Sequence, residues 1–313
     1  MDRDNQTTVT EFLLLGLSGQ SEQEDILFGL FLGMYLVTII GNFLIVLAIS
    51  SDSHLHTPMY FFLANLSCVD ICFSSVTTPK MLVNHILGSK SISYMECMIQ
   101  IYFFITFTNM DGFFLSVMAY DRYVAVCCPL HYTMIMKPRL CMLLVWHLGS
   151  LQTCMLSSTP FLWPNSHIVS TILCVHHFFC DPYAILKLSC SSTFINDLMV
   201  FTVGGLVFLT PFTCIIISYA YILSNVLKLP SAHGIRKAFS TCGSHLTVVS
   251  LFYGAILGVY MRPSSSYSVQ DTVATVIFTV VTPLVNPFIY SPRNHDMQRA
   301  LRKLISVSRI RKF

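Results

Sequence analysis

Long apolar runs separated by short polar stretches set the pattern of this chain. Seven such runs can be marked: Ile26 to Ile49, Pro58 to Leu82, Met98 to Val124, Leu140 to Leu162, Asn196 to Leu223, Ala238 to Tyr260 and Thr272 to Tyr290. A helix that crosses a bilayer core needs roughly 20 mostly apolar residues. Only helices and closed barrels satisfy their own backbone in lipid. A barrel would read as short alternating strands, whereas these runs are continuous, so each predicts a helix. No internal repeat or low-complexity segment interrupts them, and no linker is long enough to divide the chain. The pattern predicts one all-α membrane domain, a seven-transmembrane helix bundle over residues 26–292. Residues 1–25 form a leading tail. Residues 293–313 form a second tail, with a short amphipathic helix after the seventh span.

Composition strengthens this reading. Hydrophobic residues make up 54% of the 313 and charged residues only 11%, against about 25% charged in soluble domains. The net charge of +3 is small, and no basic face interleaved with aromatics invites nucleic acid. The distribution of charge says more. Of the Lys and Arg residues, only Arg3, Lys80, Lys90, Lys187 and Arg262 fall on the side of the N-terminus. Of the acids, only Asp52, Asp121 and Asp296 fall on the other side. Basic loops stay in the cytoplasm, so the N-terminus is predicted to lie outside. The Phe12 to Leu17 run is too short, and its flank not basic enough, for a cleavable signal peptide. Asn5-Gln6-Thr7 is then a glycosylation sequon on the outer tail.

The end of the third run reads MAYDRYVAVCCPLHY, Met118 to Tyr132. Arg122 cannot shed its proton, so at a membrane boundary it needs a partner such as Asp121. An ion pair that can break and re-pair would suit a two-state latch. An arginine that merely snorkels to the interface would look the same. Four of the 12 cysteines are predicted outside: Cys97 at the top of the third helix, and Cys174, Cys180 and Cys190 in one long loop. An oxidising exterior suggests two bridges. His176 and His177 in that loop leave zinc binding as the alternative. Cys127 and Cys128, at the opposite boundary, are candidates for palmitoylation.

Five stretches carry a family resemblance. They are Leu55 to Asp70 (LHTPMYFFLANLSCVD), Met118 to Tyr132, Ser218-Tyr219, Lys237 to Val249 (KAFSTCGSHLTVV) and Pro283 to Asn294 (PLVNPFIYSPRN). In this order they resemble the odorant receptors, which are rhodopsin-like G-protein-coupled receptors, over nearly the whole length. Phe252-Tyr253-Gly254 and Tyr260-Met261-Arg262-Pro263 are similar to the class II receptors. The EFLLLGLSGQ and SHLHTPMYFFLANLS stretches are similar to olfactory receptor family 1. The chain lacks the Cys-Trp-x-Pro element of most rhodopsin-like receptors, as odorant receptors do, and Tyr253 stands near the place of its tryptophan.

The resemblance implies a Cys97–Cys180 bridge and a Cys174–Cys190 bridge. For the second, the family's usual cysteine position holds Ser170, and Cys174 is displaced toward Phe178-Phe179-Cys180. It also implies a sodium ion near Asp70, Asp111 and Asn286. Asp111 precedes Arg122 by three turns, so the two share a helix face. Two intramembrane carboxylates demand a proton, a cation or a polar network between them. No other cofactor is expected. Pro292 replaces the family's usual leucine and would sharpen the stop after the seventh helix.

The outer half of the third helix, Ile101 to Asn109, has no carboxylate. An ammonium ligand would be buried unpaired there, which excludes an amine receptor. By resemblance, the ligand set is Phe104, Ile105, Thr108, Asn109, Gly112, Val203, Val207, Tyr253, Ile256, Leu257, Tyr260, Val276 and Thr279. Such a wall suits a small, neutral, largely hydrophobic odorant held by one or two hydrogen bonds; each aromatic taken singly reads more readily as packing than as a ligand contact. Binding would shift the population of two packings. Arg122 would leave Asp121 for Tyr219 and a G protein, with Tyr123 and Asn286, Pro287 and Tyr290 of the Asn-Pro-x-x-Tyr segment in the coupling machinery. The implied partners are a stimulatory, olfactory-type G protein, which raises cyclic AMP, and membrane lipid. The implied location is the plasma membrane of olfactory cilia. No nucleophile–base pair suggests an enzyme. A transporter should show an internal repeat and broken helices, and the sequence has neither. A receptor-like chain that no longer signals is the other alternative.

Overall fold

The computed structural model describes residues 11–14, 16, 21–146, 172–175, 177–187, 198, 200–228, 232–260, 269–291 and 295–310. Helix α1 spans Ser21–Ser51, α2 Pro58–Ile86 and α3 Tyr94–Cys127. Residues 138–146 begin α4; the rest of the predicted fourth span lies outside the described residues. Helix α5 is Gly205–Val226, entered through a π turn, Val200–Gly204. Helix α6 is Ala232–Tyr260. Helix α7 runs Val269–Val276, passes through a π turn at Ile277–Val281 and continues as Thr282–Tyr290. Helix α8 is His295–Ile310. Among the described residues six helices are long and apolar enough to cross a membrane.

The helices begin or end several residues beyond the apolar runs, because polar caps carry them past the hydrophobic stretch. Ser93 caps α3: its Oγ accepts from the Glu96 N–H, and Glu96 Oε2 accepts in return from the Ser93 N–H. This reciprocal pair satisfies two orphan donors at the helix start. Pro58 sits at the first turn of α2, where its missing N–H costs nothing.

Helix α3 runs through the middle, packed against α2, α5 and α6, while α1 lies against α2 and α7. Lipid tails are as apolar as leucine, so close packing rather than water exclusion holds such helices together. Gly41 shows how close: a Cβ there would stand 3.0 Å from the Pro287 ring, so α1 meets α7 only because that position has no side chain. Asn42 Nδ2 then donates to the Pro283 carbonyl at 3.1 Å, satisfying an oxygen that Pro287 leaves without its helical donor.

One end of the bundle carries a three-stranded sheet. Strand β1, Glu11–Leu14, lies between β2, Ser91–Ser93, and β3, Ile172–Val175. It pairs antiparallel with β2, Phe12 opposite Ile92, and parallel with β3, Leu13 opposite Cys174. Phe12, Leu14, Ile92 and Val175 bury a small core with Cys97, Cys180 and Ile185. The predicted tail therefore contributes a strand. The Cys97–Cys180 bridge is present, with Cα atoms 5.6 Å apart. At the other end, α8 buries Met297 and Ala300. Lys303 Nζ bonds Asp52 Oδ2 at 2.8 Å. That bond, with the His54 N–H, holds the Asp52 carboxyl below its ordinary range.

Candidate functional site

Below the sheet, aromatic rings fill the space between α2, α3, α6 and α7. Phe104 stacks near Phe179 at 4.9 Å and meets Phe278 edge-on at 5.9 Å; Phe252 meets Phe278 at 5.6 Å. Tyr253 packs on Phe208 and Phe212 at 5.0 and 4.8 Å. Each such pair is worth about 0.5–1.5 kcal/mol beyond its burial. Phe104, Ile256 and Thr279 are buried in this layer, and Ile105 and Val276 pack on it. Thr279 Oγ1 is spent on the Thr275 carbonyl at 2.9 Å. Thr108 Oγ1 is buried with no hydrogen-bond partner. Asn109 is half-buried beside it on the same helix.

Part of the predicted ligand set does not join this wall. Gly112 is covered: the Tyr253 hydroxyl donates to its carbonyl at 3.4 Å, and a Cβ there would press on Tyr253 and Phe252. Its smallness lets α6 approach α3 and leaves no ligand contact. Val203 and Leu257 are 38% and 37% exposed, pointing off the cluster, because helix periodicity turns them away from Ile256 and the rings. Val207 is half-buried. The side chain of Tyr260 lies outside the described residues, as do Cys190, the Cys174 side chain, Asn5, Pro292 and Arg262.

Midway down, Asp70 and Asp111 are both buried and lie within electrostatic range of each other. Asn286 Nδ2 donates to Asp70 Oδ2 at 2.7 Å. Asp111 Oδ1, Asn286 Oδ1, Ser67 Oγ and Ser74 Oγ have no partner. Ser67 and Ser74 flank Asp70 at helical spacing, on its face. Two carboxyls, one amide oxygen and two hydroxyls make an oxygen-rich set, the chemistry a hard cation takes. Among the described residues no cluster of three His, Cys, Asp or Glu side chains is placed to hold a metal; His176, Cys190 and the Cys174 side chain, on which the zinc alternative rests, lie outside them.

Near the α8 end the predicted Asp121–Arg122 latch is not closed. Asp121 Oδ1 accepts instead from the Tyr132 hydroxyl at 2.8 Å. Tyr132, in the turn after α3, reaches back because that turn folds under the helix end; burial and the neighbouring Asp121 carboxyl both push the Tyr132 phenol up. Arg122 is buried, and its Nε has no partner. It lies within electrostatic range of Tyr219, His245 and Tyr290. Tyr219 does not bond Arg122 here. Its hydroxyl meets His245 Nδ1 at 2.9 Å, and His245 Nε2 meets the Leu115 carbonyl at 3.0 Å. A carbonyl only accepts, so Nε2 carries the proton, and in the neutral ring Nδ1 accepts from Tyr219. One imidazole thereby ties α5, α6 and α3 together. Tyr123 packs beside this clasp with Ile222, Val226 and Cys242. Tyr290 is buried with its hydroxyl unpartnered, and Pro287 rests on Gly41.

His245, Tyr132 and the two rings that meet Phe104, Phe179 and Phe278, were absent from the predicted set. His245 had a visible signal: a lone histidine inside the apolar run of α6 needs two partners. Phe179 and Phe278 had none, since phenylalanine is the default core residue.

The comparisons with known proteins agree with this arrangement. The sequence model of the olfactory receptor family matches residues 31–308. Olfactory receptor 1f45 of Rattus norvegicus is 54% identical over 98% of this chain and 98% of its own length. Olfactory receptor 1L1 of Homo sapiens is 54% identical over 97% of this chain and 84% of its own. Human olfactory receptor 1J2 is 54% identical over 98% of each. In structure, squid rhodopsin superposes with a TM-score of 0.70 over 89% of this chain and 78% of its own, at 18% identity, which speaks to the fold. Family and fold place the chain among multi-pass membrane receptors that take an odorant and a G protein, and not among enzymes. This chain, with its helix bundle and its buried Asp-Arg-Tyr end, belongs to the olfactory receptor family.

Proposed function

We propose that this receptor binds a small, neutral, largely hydrophobic volatile among α3, α5, α6 and α7, and that binding activates a stimulatory, olfactory-type G protein and raises cyclic AMP. Thr108 carries the ligand class. Its buried hydroxyl has no partner, whereas the Thr279 hydroxyl in the same wall is spent on the Thr275 carbonyl. A buried polar atom left unmade costs about 1–3 kcal/mol. A ligand carbonyl or hydroxyl would remove that cost, and an apolar body would pack on Phe104, Ile256 and Val276. The absence of a carboxylate from Ile101 to Asn109 leaves an ammonium without a counter-ion.

The coupling step is a shift between two packings. The Tyr219–His245–Leu115 clasp holds the α8 ends of α5, α6 and α3 together. An outward swing of α6 breaks it, freeing Tyr219 to meet Arg122 and the C-terminal helix of a G protein. Moving such an equilibrium from 1:99 to 99:1 takes about 5.5 kcal/mol of differential ligand affinity, so a few hydrogen bonds set the threshold. Asp70, Asp111 and Asn286, with Ser74, would hold a sodium ion through their spare oxygens; bound there, it would offset the repulsion of two carboxylates. Asp70 and Asn286 already share a hydrogen bond, so α2 and α7 keep their register. The excess of basic residues at the α8 end supports a cytoplasmic placement of that end. The sheet would then face the outside, in the plasma membrane of olfactory cilia.

A panel of neutral volatiles tested on surface-delivered receptor checks this reading. Thr108→Val should move the dose–response of an active volatile about three- to tenfold to higher concentration, the weight of one hydrogen bond. An unchanged response to every active volatile would remove Thr108 from the site.

A further inference from the structure

A cavity of about 210 Å³ lies at the sheet end, between α1, α2 and the loop that carries Phe178. It is separate from the Phe104–Thr108 wall. Its floor is apolar: Leu27 and Phe28 from α1, Met81 and Leu82 from α2, and Phe178. Its rim is polar, and the charges there are already spent. Lys90 Nζ meets Glu24 Oε1 at 3.1 Å, and His85 Nε2 meets Asp25 Oδ1 at 3.1 Å. The His85 ring also stacks on Phe28 at 4.8 Å. The rim thus offers neither an anion nor a cation an uncompensated counter-charge. It does offer Asn84, whose side chain lines the cavity and makes no hydrogen bond among the described residues. A water needs roughly 10–15 Å³ of such space, so the cavity has room for a medium-chain alcohol or ketone.

We infer that this cavity is a second small-molecule site, which takes an uncharged amphiphile with its apolar body on Leu27, Phe28 and Met81 and its single polar head on Asn84. The site is connected to the first. Phe178 forms part of its floor, packs on Phe31 at 5.9 Å and on Phe179 at 5.0 Å, and Phe179 packs on Phe104 at 4.9 Å. An occupant pressing on Phe178 therefore bears, through one intervening ring, on a residue of the proposed odorant wall. Packed rings have discrete arrangements rather than continuous give, so the second site would modulate the first. The modulation rests on the proposed odorant site; the binding does not.

Photolabelling separates the two. Full-length receptor in lipid nanodiscs is labelled with octan-1-ol bearing an aliphatic diazirine, with and without excess unlabelled octan-1-ol, and the labelled peptides are mapped. The expected result is label on residues 24–31 and 81–90 that excess octan-1-ol displaces. Leu27→Trp, which fills the floor, should lower that label at least tenfold while leaving any label on residues 101–112 unchanged. Asn84→Ala, a milder change that keeps the packing, should lower it about threefold. Label on residues 24–31 and 81–90 that is absent, not displaceable, or equal in both variants and the native receptor overturns the second site. Label confined to 24–31 and 81–90, with none on 101–112, would support the second site and count against the odorant wall.

Discussion

The two ends of this bundle solve the same problem, a polar load at the edge of an apolar core, in opposite ways. At the sheet end the connections are permanent. A covalent bridge joins Cys97 to Cys180, backbone ladders join three strands, and Gln100 uses both ends of its amide, donating to the Val76 carbonyl and accepting from the Cys180 N–H at 2.8 Å each. From mid-bundle to the α8 end, connections are few and atoms are left over. Arg122 Nε, Tyr290 Oη, Asn286 Oδ1 and Asp111 Oδ1 are buried without partners, and one imidazole joins three helices. Unsatisfied buried groups cost stability in any single packing, but they lower the cost of reaching another in which they pair. The covalently tied end would hold a ligand site in shape while the loosely tied end moves.

Breaking the covalently tied end should do the most damage. Cys97→Ser or Cys180→Ser should abolish surface delivery, because α3 loses its anchor to the long loop; the bond's contribution is typically about 2–5 kcal/mol. Antibody staining of intact cells checks it, and normal surface levels would show that the strands alone suffice. At the other end, His245→Phe keeps the ring volume and removes both hydrogen bonds. Basal cyclic AMP should rise about tenfold, corresponding to about 1.4 kcal/mol of lost clasp, with surface delivery within a few-fold of the native receptor. A silent, well-delivered variant would mean the clasp does not restrain α6.

The acid pair should respond as one unit. Asp70→Asn should remove any sodium sensitivity of basal signalling, and adding Asp111→Asn should then change it by less than a factor of two. Non-additivity of this kind marks groups that share a partner; independent effects of the two substitutions would place them in separate packing networks. The smallest effect is expected at Tyr132→Phe. It frees the buried Asp121 from its hydroxyl donor at the end of α3, and the half-maximal concentration for an active volatile should move about twofold. A loss of all response would put Asp121 in the core of the switch.

The bundle was legible in the sequence because lipid imposes one rule: a run of apolar residues long enough to cross must be a helix. Strand β1 was not legible. Four residues in a predicted tail gain their meaning from pairing with Ile92 and Leu173, partners far away in the chain. The Cys97–Cys180 bridge and Asp70 beside Asn286 were readable from the family resemblance; the burial of Arg122 was not, since a snorkelling arginine fits the same motif. Around this end Tyr219 was named from its motif, but Tyr132 and His245 were not, because the Asp-Arg-Tyr triplet fixes only one helix, while they arrive from a turn and a further helix. The ligand wall was half legible. The family resemblance named Phe104, Thr108 and Ile256, but Gly112 reads as space until Tyr253 is seen to fill it.

The most direct test of the account is the cyclic-AMP response of surface-delivered receptor and of its Arg122→Ala variant to one panel of neutral volatiles and organic amines. The account predicts that at least one neutral volatile raises cyclic AMP in the native receptor, that the amines do not, and that Arg122→Ala, delivered to the surface within a few-fold of the native receptor, responds to nothing. A response to amines alone, or an Arg122→Ala variant that signals as well as the native receptor, would contradict it.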